Sequence, residues 1–312
     1  MSEAGVSASW DGVDDAAWDA LLAAAPRCAL QQGTDYGAAL AARGRPVTRA
    51  VFRVGERVVA LAQIVERRYL GIARVAALLR GPVWIDAAPV ERLAVLRLLR
   101  ARWPHWRYRF LLVQPDEPES RELAAALAAI GVRRIMTGYS TSWVDLRPEE
   151  ETLRRRLDGK WRNQLRRGEE SGLSVDAGQT RERLDWLLAQ DAAQARRRRY
   201  LTLGGSLIGD LAAARGGEAA LLLVASVGRD PVAGVLFLRH GKAATYQVGW
   251  VGEEGRERHA HNVLLWRGMA MLKRRGVAWL DLGGIETTSA AGIAHFKLGL
   301  GGGPTTLAGT FL

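Results

Sequence analysis

Apolar positions along the chain fall into two periods, and the change from one to the other runs in the same order twice. From Arg49, "RAVFRV" is a strand-like run, Gly55-Glu56 a turn signal and "RVVALAQIVERR" a second strand. "ARVAALLRGPVW" reads as a third strand, "VERLAVLRLLRARW" has the period of a helix, and "RYRFLLVQP" is a buried-type strand. "SRELAAALAAIGV" is a further helix that ends near Gly131. From Ala219 the series returns. "AALLLVASV" is a strand, Gly228 to Pro231 a turn, "VAGVLFLRH" a strand, and His240-Gly241-Lys242 turns into "AATYQVGWV". A helix "RERHAHNVLLWRGMAMLKRRG" follows, with Lys273, Arg274 and Arg275 in its last turn and Gly276 after it, the expected stop signals. "VAWLDLGG" is the next strand, and an apolar stretch from Ile293 to Leu300 leads into a glycine run.

Strand, turn, strand, strand, helix, strand predicts, in each half, an antiparallel meander followed by a strand-helix-strand crossover. That is an α/β arrangement of mixed sheets with helices packed on them. The halves share little residue identity, so the repeat is one of topology. A chain of 312 residues suits two domains of ordinary size, placed at 1–147 and 148–312.

Between them lies a segment, 148–172, that reads as a basic junction helix. Pro148 with Glu149, Glu150 and Glu151 marks a helix start, and Asp158 can cap one. Gly172 can close it in the left-handed conformation. Leu157, Trp161 and Leu165 recur every four residues and form one apolar stripe, while Lys160, Arg162, Arg166 and Arg167 fall on other faces. One reading is an amphipathic linker with snorkelling arginines. The other is an anion-facing helix, since domain junctions are favoured ligand sites.

Charge changes this picture modestly. The formal net charge of +11 favours an anionic partner: nucleic acid, a phosphorylated small molecule or an acidic membrane surface. An Ala-, Arg- and Gly-rich composition also fits a GC-rich genome, which raises arginine everywhere without function. The single cysteine, Cys28, excludes a disulfide framework within the chain and fits a reducing cytoplasm. The acidic N-terminus does not read as a secretory signal, and no window approaches the length of a membrane span.

Candidate chemistry is sparse. No Ser-His-Asp order or Cys-His pairing stands out for a covalent route. His259 and His261 flank Ala260, but on a helix two such rings point about 200° apart, and no third metal ligand is evident. Arg198, Arg199 and Tyr200 end "QARRRRY", which is either a solvated basic face or a contact for phosphate groups. Tyr246 reads as core or cleft wall, and Asp281 as a strand-end carboxylate that caps a loop or serves as a base. Gly299, Gly301, Gly302 and Gly303 lack the Gly-Lys-Ser/Thr of a P-loop and the helix opening of a dinucleotide fingerprint.

Several stretches carry a resemblance. "KWRNQLRRGEESGL" resembles the junction helix of the Fem-type aminoacyltransferases, the FemAB/FemX-like family. "YQVGWVGEEGRERHAHNVLLWRGMAMLKRRGVAWLDLGGI" is similar to that family's second-domain strand, helix and Asp-Leu-Gly-Gly strand end. "GIAHFKLGLGG" resembles its closing Phe-Lys-x-Gly-Phe-Gly signature, with Leu300 where Phe is more usual. "RGPVW" and "LQQGTDYGAAL" match weaker first-domain features. The resemblance implies two GNAT acyltransferase-like domains in tandem. In relatives of this shape the last strand, about 304–312 here, can return to the first domain.

The activity implied is transfer of an amino acid from aminoacyl-tRNA to an amino group of a peptidoglycan precursor, by direct attack of the amine. The partners implied are aminoacyl-tRNA and a nucleotide- or lipid-linked cell-wall precursor, in a bacterial cytoplasm with room for peripheral contact at the inner membrane face. The tRNA is a co-substrate and no bound cofactor is expected. Lys297, after Phe296 in the signature, would stabilise the oxyanion or the donor's leaving ribose oxygen. Arg162, Arg166, Arg198, Tyr200, Tyr246, Asn262 and Phe296 are the expected substrate-binding residues.

The chain departs from related patterns in two places. GNAT enzymes that use coenzyme A hold its pyrophosphate on backbone amides at a helix start, with an Arg/Gln-x-x-Gly-x-Gly/Ala signature. Here "VGEEGRERHAH" carries Glu253 and Glu254, which disfavours acetyl-CoA as donor. Tyr36 is followed by Gly37, Ala38 and Ala39, where peptidoglycan members often have a basic residue. Two alternatives stay open: an acyl-CoA-dependent GNAT N-acyltransferase, and a GNAT-like accessory protein of exopolysaccharide assembly. A third reading, a plain RNA-binding protein, is allowed by the basic charge, but the sequence shows no aromatic-rich RNA-binding signature.

Overall fold

The structure is a computed structural model that describes residues 5–69, 72–178, 180–198, 203–287 and 290–312. By packing, the chain divides into two units, 1–140 with 305–312, and 141–304.

The first unit begins with β1 (Val6–Trp10), α1 (Asp15–Ala24) and α2 (Thr34–Ala41). The predicted meander follows as β2 (Val47–Val54), β3 (Arg57–Tyr69) and β4 (Ala73–Leu79), all antiparallel. A short β5 (Val83–Trp84) pairs with β3. Then α3 (Pro89–Arg102) crosses over to β6 (Arg109–Gln114), which runs parallel to β4 from Arg74↔Arg109 to Leu79↔Gln114. Pro89 sets the first helical turn, and the Glu91 carboxylate accepts from the Ala88 amide at 2.8 Å, as a capping residue should. The unit continues through α4 (Arg121–Ala129) and β7 (Arg134–Met136). Phe52, Ile64, Leu78, Leu99, Trp103 and Leu111 close its core.

The second unit repeats the scheme. After β8 (Ser140–Asp145) come α5 (Glu150–Arg156), α6 (Gly159–Glu169), β9 (Ser174–Ala177), α7 (Arg181–Arg198) and α8 (Gly205–Ala213). The antiparallel meander is β10 (Ala220–Val227), β11 (Asp230–His240) and β12 (Ala243–Val251). Next are α9 (Glu253–Glu257), α10 (Ala260–Arg274), β13 (Trp279–Ile285), α11 (Ala291–Leu298) and β14 (Gly303–Thr306). The sheet order is β14-β8-β13-β12-β11-β10-β9, with β12 and β13 parallel across the α10 crossover.

The chain ends in β15 (Thr310–Phe311), which pairs with β6 and β7 in the first unit's sheet. No helix among the described residues is long and apolar enough to cross a membrane.

Three expectations need correction. Residues 141–147 pack with the second unit, because β8 belongs to that unit's sheet. The segment 148–172 is two helices: Leu157 turns extended (ψ 141), and Asp158 then caps α6 by accepting from the Lys160 and Trp161 amides. Leu157, Trp161 and Leu165 do form one buried stripe, packed on α10 residues such as Leu264 and Leu265. Each such burial contributes roughly 2–3 kcal/mol. The helix read over "RERHAHNVLL" is also broken, because His259 takes a left-handed backbone (φ 52) between α9 and α10.

Candidate active site

Two local irregularities in the second unit's sheet create a site. The parallel pairing of β12 with β13 runs from Ala243↔Trp279 to Thr245↔Asp281 and stops, although both strands continue. At the same level the β11–β12 ladder shifts register: Leu236 faces Val248 and Phe237 faces Tyr246, which leaves Gln247 as the extra residue of a bulge. A bulge re-aims the neighbouring side chain. Tyr246 is that neighbour.

The Tyr246 hydroxyl meets Nε2 of His261, from the first turn of α10, at 2.9 Å. Gly249 leaves room for this pair, since a Cβ there would overlap the Tyr246 hydroxyl and press on His261. The imidazole also lies 5.6 Å from the Phe296 ring, and Phe296 lies 5.8 Å from Trp161 of α6. Burial, with Arg256 and Lys297 nearby, holds the His261 imidazole down at about 4, so it is neutral at physiological pH.

Lys297, from the last turn of α11, completes the cluster. Its ammonium donates to the Gly284 carbonyl at 2.9 Å and stands 5.8 Å from the centre of the Tyr246 ring. Burial lowers it to about 8, with the Asp281 carboxylate pulling the other way. Asp281 is buried at the end of the β12–β13 pairing, accepting from Thr141 Oγ1 at 2.7 Å and from the Gly283 amide at 2.8 Å. Those bonds fix the strand end that carries Gly283 and Gly284. A cation half-removed from water and held beside the Tyr246 hydroxyl and the neutral His261 imidazole can stabilise a developing oxyanion or donate a proton.

Beside this cluster is a cavity of about 200 Å³ lined by Asp158, Lys160, Trp161, Gln164, His295 and Phe296. It is smaller than the cavities that take drug-sized ligands. The Trp161 indole N–H is buried with no hydrogen-bond partner among the described residues. A larger cavity, about 1230 Å³, lies among α7, α8 and β10, and none of the Lys297 cluster lines it.

The expected residues divide accordingly. Lys297, Phe296 and Tyr246 come together. Asn262 is buried in the first turn of α10, its Nδ2 without a hydrogen-bond partner among the described residues. Arg162 and Arg166 are on the exposed face of α6, where Arg162 donates to the Arg155 carbonyl and Arg166 pairs with Glu170 at 3.2 Å. No contact among the described residues joins them to the cluster. Tyr200 and the side chain of Arg198 lie outside the described residues. His261, His295, Lys160 and Gln164 are members of the site that sequence reasoning missed. The thiol of Cys28 is buried in the first unit and pushed up to about 12 by burial, with Asp116 and Asp19 adding to it, so it is no nucleophile.

Residues 154–298 match the family model described as Acetyltransferase (GNAT) domain. No curated protein sequence matches the chain. Among solved structures, FemX superposes with a TM-score of 0.83 at 15% identity, covering 97% of this chain and 96% of that one. A conserved protein of unknown function from Bacteroides thetaiotaomicron gives 0.63 at 13% identity, covering 100% of this chain and 98% of that one. A tandem GNAT protein from the clavulanic acid biosynthesis pathway gives 0.54 at 15% identity, covering 98% of each chain. The resemblance seen in the junction, strand-helix and Phe-Lys stretches thus holds at the level of the fold: the chain has the FemX fold, two GNAT-type units in tandem, and the second unit also matches the GNAT model in sequence.

Proposed function

We propose that the second unit transfers an aminoacyl group from an aminoacyl-tRNA ester to an amine of a cell-wall precursor, with Lys297 as its catalytic residue. The acceptor amine attacks the ester carbonyl, a C–N bond forms, the bond to the donor's ribose oxygen breaks, and the amine's proton ends on that oxygen. Lys297, as an ammonium, stabilises the oxyanion of the tetrahedral intermediate. The Tyr246–His261 pair lines the reacting carbonyl, and the cavity at Trp161, Lys160 and His295 receives the aminoacyl side chain.

One observation carries this reading: the Phe296–Lys297 pair that the Fem-type signature marks lies at the end of the β12–β13 pairing, with its ammonium lowered to about 8. Support against a coenzyme A donor comes from Glu253 and Glu254, which occupy the first turn of α9, where an anion would have to bind. Arg162 and Arg166, on the exposed face of α6, serve the tRNA backbone in this reading.

The match of residues 154–298 to an acetyltransferase model favours a second reading, acyl transfer from acetyl-CoA to an amine. Both are tested by offering the purified protein labelled charged tRNA or labelled acetyl-CoA, with lipid-linked and nucleotide-linked precursors and an amine panel. Label leaving tRNA for an acceptor is the expected result. Label leaving only acetyl-CoA would replace the first reading with the second.

A further inference from the structure

Four of the large apolar side chains most open to solvent lie together at one end of the first unit's sheet. Tyr69 ends β3, Ile72 precedes β4, and Trp106 and Tyr108 lie in the turn before β6; they are 48%, 70%, 66% and 63% exposed. Backbone bonds tie these segments to one another. The Ile72 amide donates to the Tyr69 carbonyl at 3.2 Å, and the Arg74 amide donates to the Tyr108 carbonyl at 2.9 Å. Arg74 and Arg109 are register partners across β4 and β6.

The same segments carry Arg67, Arg68, Arg74, Arg107 and Arg109, and none of these is in an ion pair among the described residues. Other arginines of this unit find carboxylates: Arg49 with Asp15, Arg57 with Glu91, Arg134 with Glu119. The nearby carboxylate of Glu66 accepts from the Trp103 indole at 2.8 Å. Arg107 lies 4.4 Å from the Trp106 ring centre, so cation and aromatic form one surface.

A folded chain that buries its apolar groups elsewhere and leaves such a cluster open marks a contact surface. Tryptophan and tyrosine beside arginine are the anchors of a membrane interface, where the rings sit among headgroups. Unpaired cations add attraction to an anionic leaflet. Ile72 distinguishes this surface from a nucleic-acid platform: an aliphatic side chain enters hydrocarbon but gives a base nothing to stack on.

We propose that this end of the first unit docks on an anionic lipid bilayer, with Tyr69, Ile72, Trp106 and Tyr108 entering the headgroup region and the surrounding arginines meeting lipid phosphates. Such docking suits an enzyme whose acceptor is lipid-linked, but it stands on the surface itself and not on the transfer reaction.

The test is co-sedimentation of the full chain with vesicles of phosphatidylcholine, alone or with one part in three phosphatidylglycerol. Binding to the anionic vesicles at low salt, weakening as salt rises, is expected. W106S/Y108S should lower that binding at least tenfold, and R67Q/R68Q should lower it by roughly fivefold per arginine. Brominated acyl chains should quench the wild-type tryptophan emission more than that of W106F. Melting curves establish that the variants are folded. No binding at low salt, or binding that neither double variant alters, would overturn the proposal. So would loss of binding to a single-stranded oligoribonucleotide in these variants while vesicle binding is unchanged.

Discussion

Tyr246 and His261, fifteen positions apart in sequence, share one hydrogen bond of 2.9 Å across the point where β12 leaves β13. The bulge at Gln247 makes the bond by turning the tyrosine, and Gly249 makes it by leaving space. A neutral imidazole is the partner this bond needs at the heart of a site that also holds a cation.

That neutrality has a consequence for stability. The folded-state value of His261 is about 4, below the ordinary 6.5. Between those values the unfolded chain binds a proton that the folded one refuses, so stability is intact above about pH 6.5 and falls as pH drops toward 4. The expected loss from this group between pH 7.5 and 5 is about 2 kcal/mol, taking 1.36 kcal/mol per pK unit. Denaturant melts of the wild type and His261→Phe at both pH values should show a smaller pH dependence in the variant. Equal dependence would mean that His261 titrates normally.

Gly299→Ala places a methyl group 2.7 Å from the Trp161 ring. The ring is buried and lies at a tilt against Phe296, so it cannot simply swing away. We expect about 1–3 kcal/mol of destabilisation, read from thermal or urea melts. A variant as stable as the wild type would show that the Trp161 ring yields easily.

Arg162→Ala with Arg166→Ala should hardly affect folding. The Arg166–Glu170 pair is exposed and one helical turn long, a geometry worth roughly 0.3–0.5 kcal/mol. Binding of charged tRNA, in contrast, should weaken, with the salt slope reduced by about two if each arginine meets one phosphate. An unchanged slope would remove α6 from the tRNA surface.

Much of the fold was legible because strand and helix periods are local. The two meanders, the crossovers and the Leu157–Trp161–Leu165 stripe follow from spacing alone. β8 and β14 did not, since their sheet partners lie far along the chain. The break at His259 depends on one left-handed residue that no period announces. In the site, Lys297 and Phe296 were marked by a signature. Tyr246 read as core or cleft wall, and His261 was weighed only against metal binding, because their pairing depends on a bulge. Lys160 and His295 are polar residues on separate helices until folding places both on one small cavity.

The most direct test of the account is the rate of aminoacyl transfer from charged tRNA by the wild type, Lys297→Ala and Lys297→Arg. If the Lys297 ammonium stabilises the oxyanion, Lys297→Ala should lose roughly 10²–10³ in kcat with tRNA binding intact. The wild-type rate should fall as pH rises through about 8, where that ammonium gives up its proton, and Lys297→Arg should carry the fall to higher pH. A Lys297→Ala enzyme as fast as the wild type, or a rate that rises steadily through that range, would contradict the role assigned to Lys297.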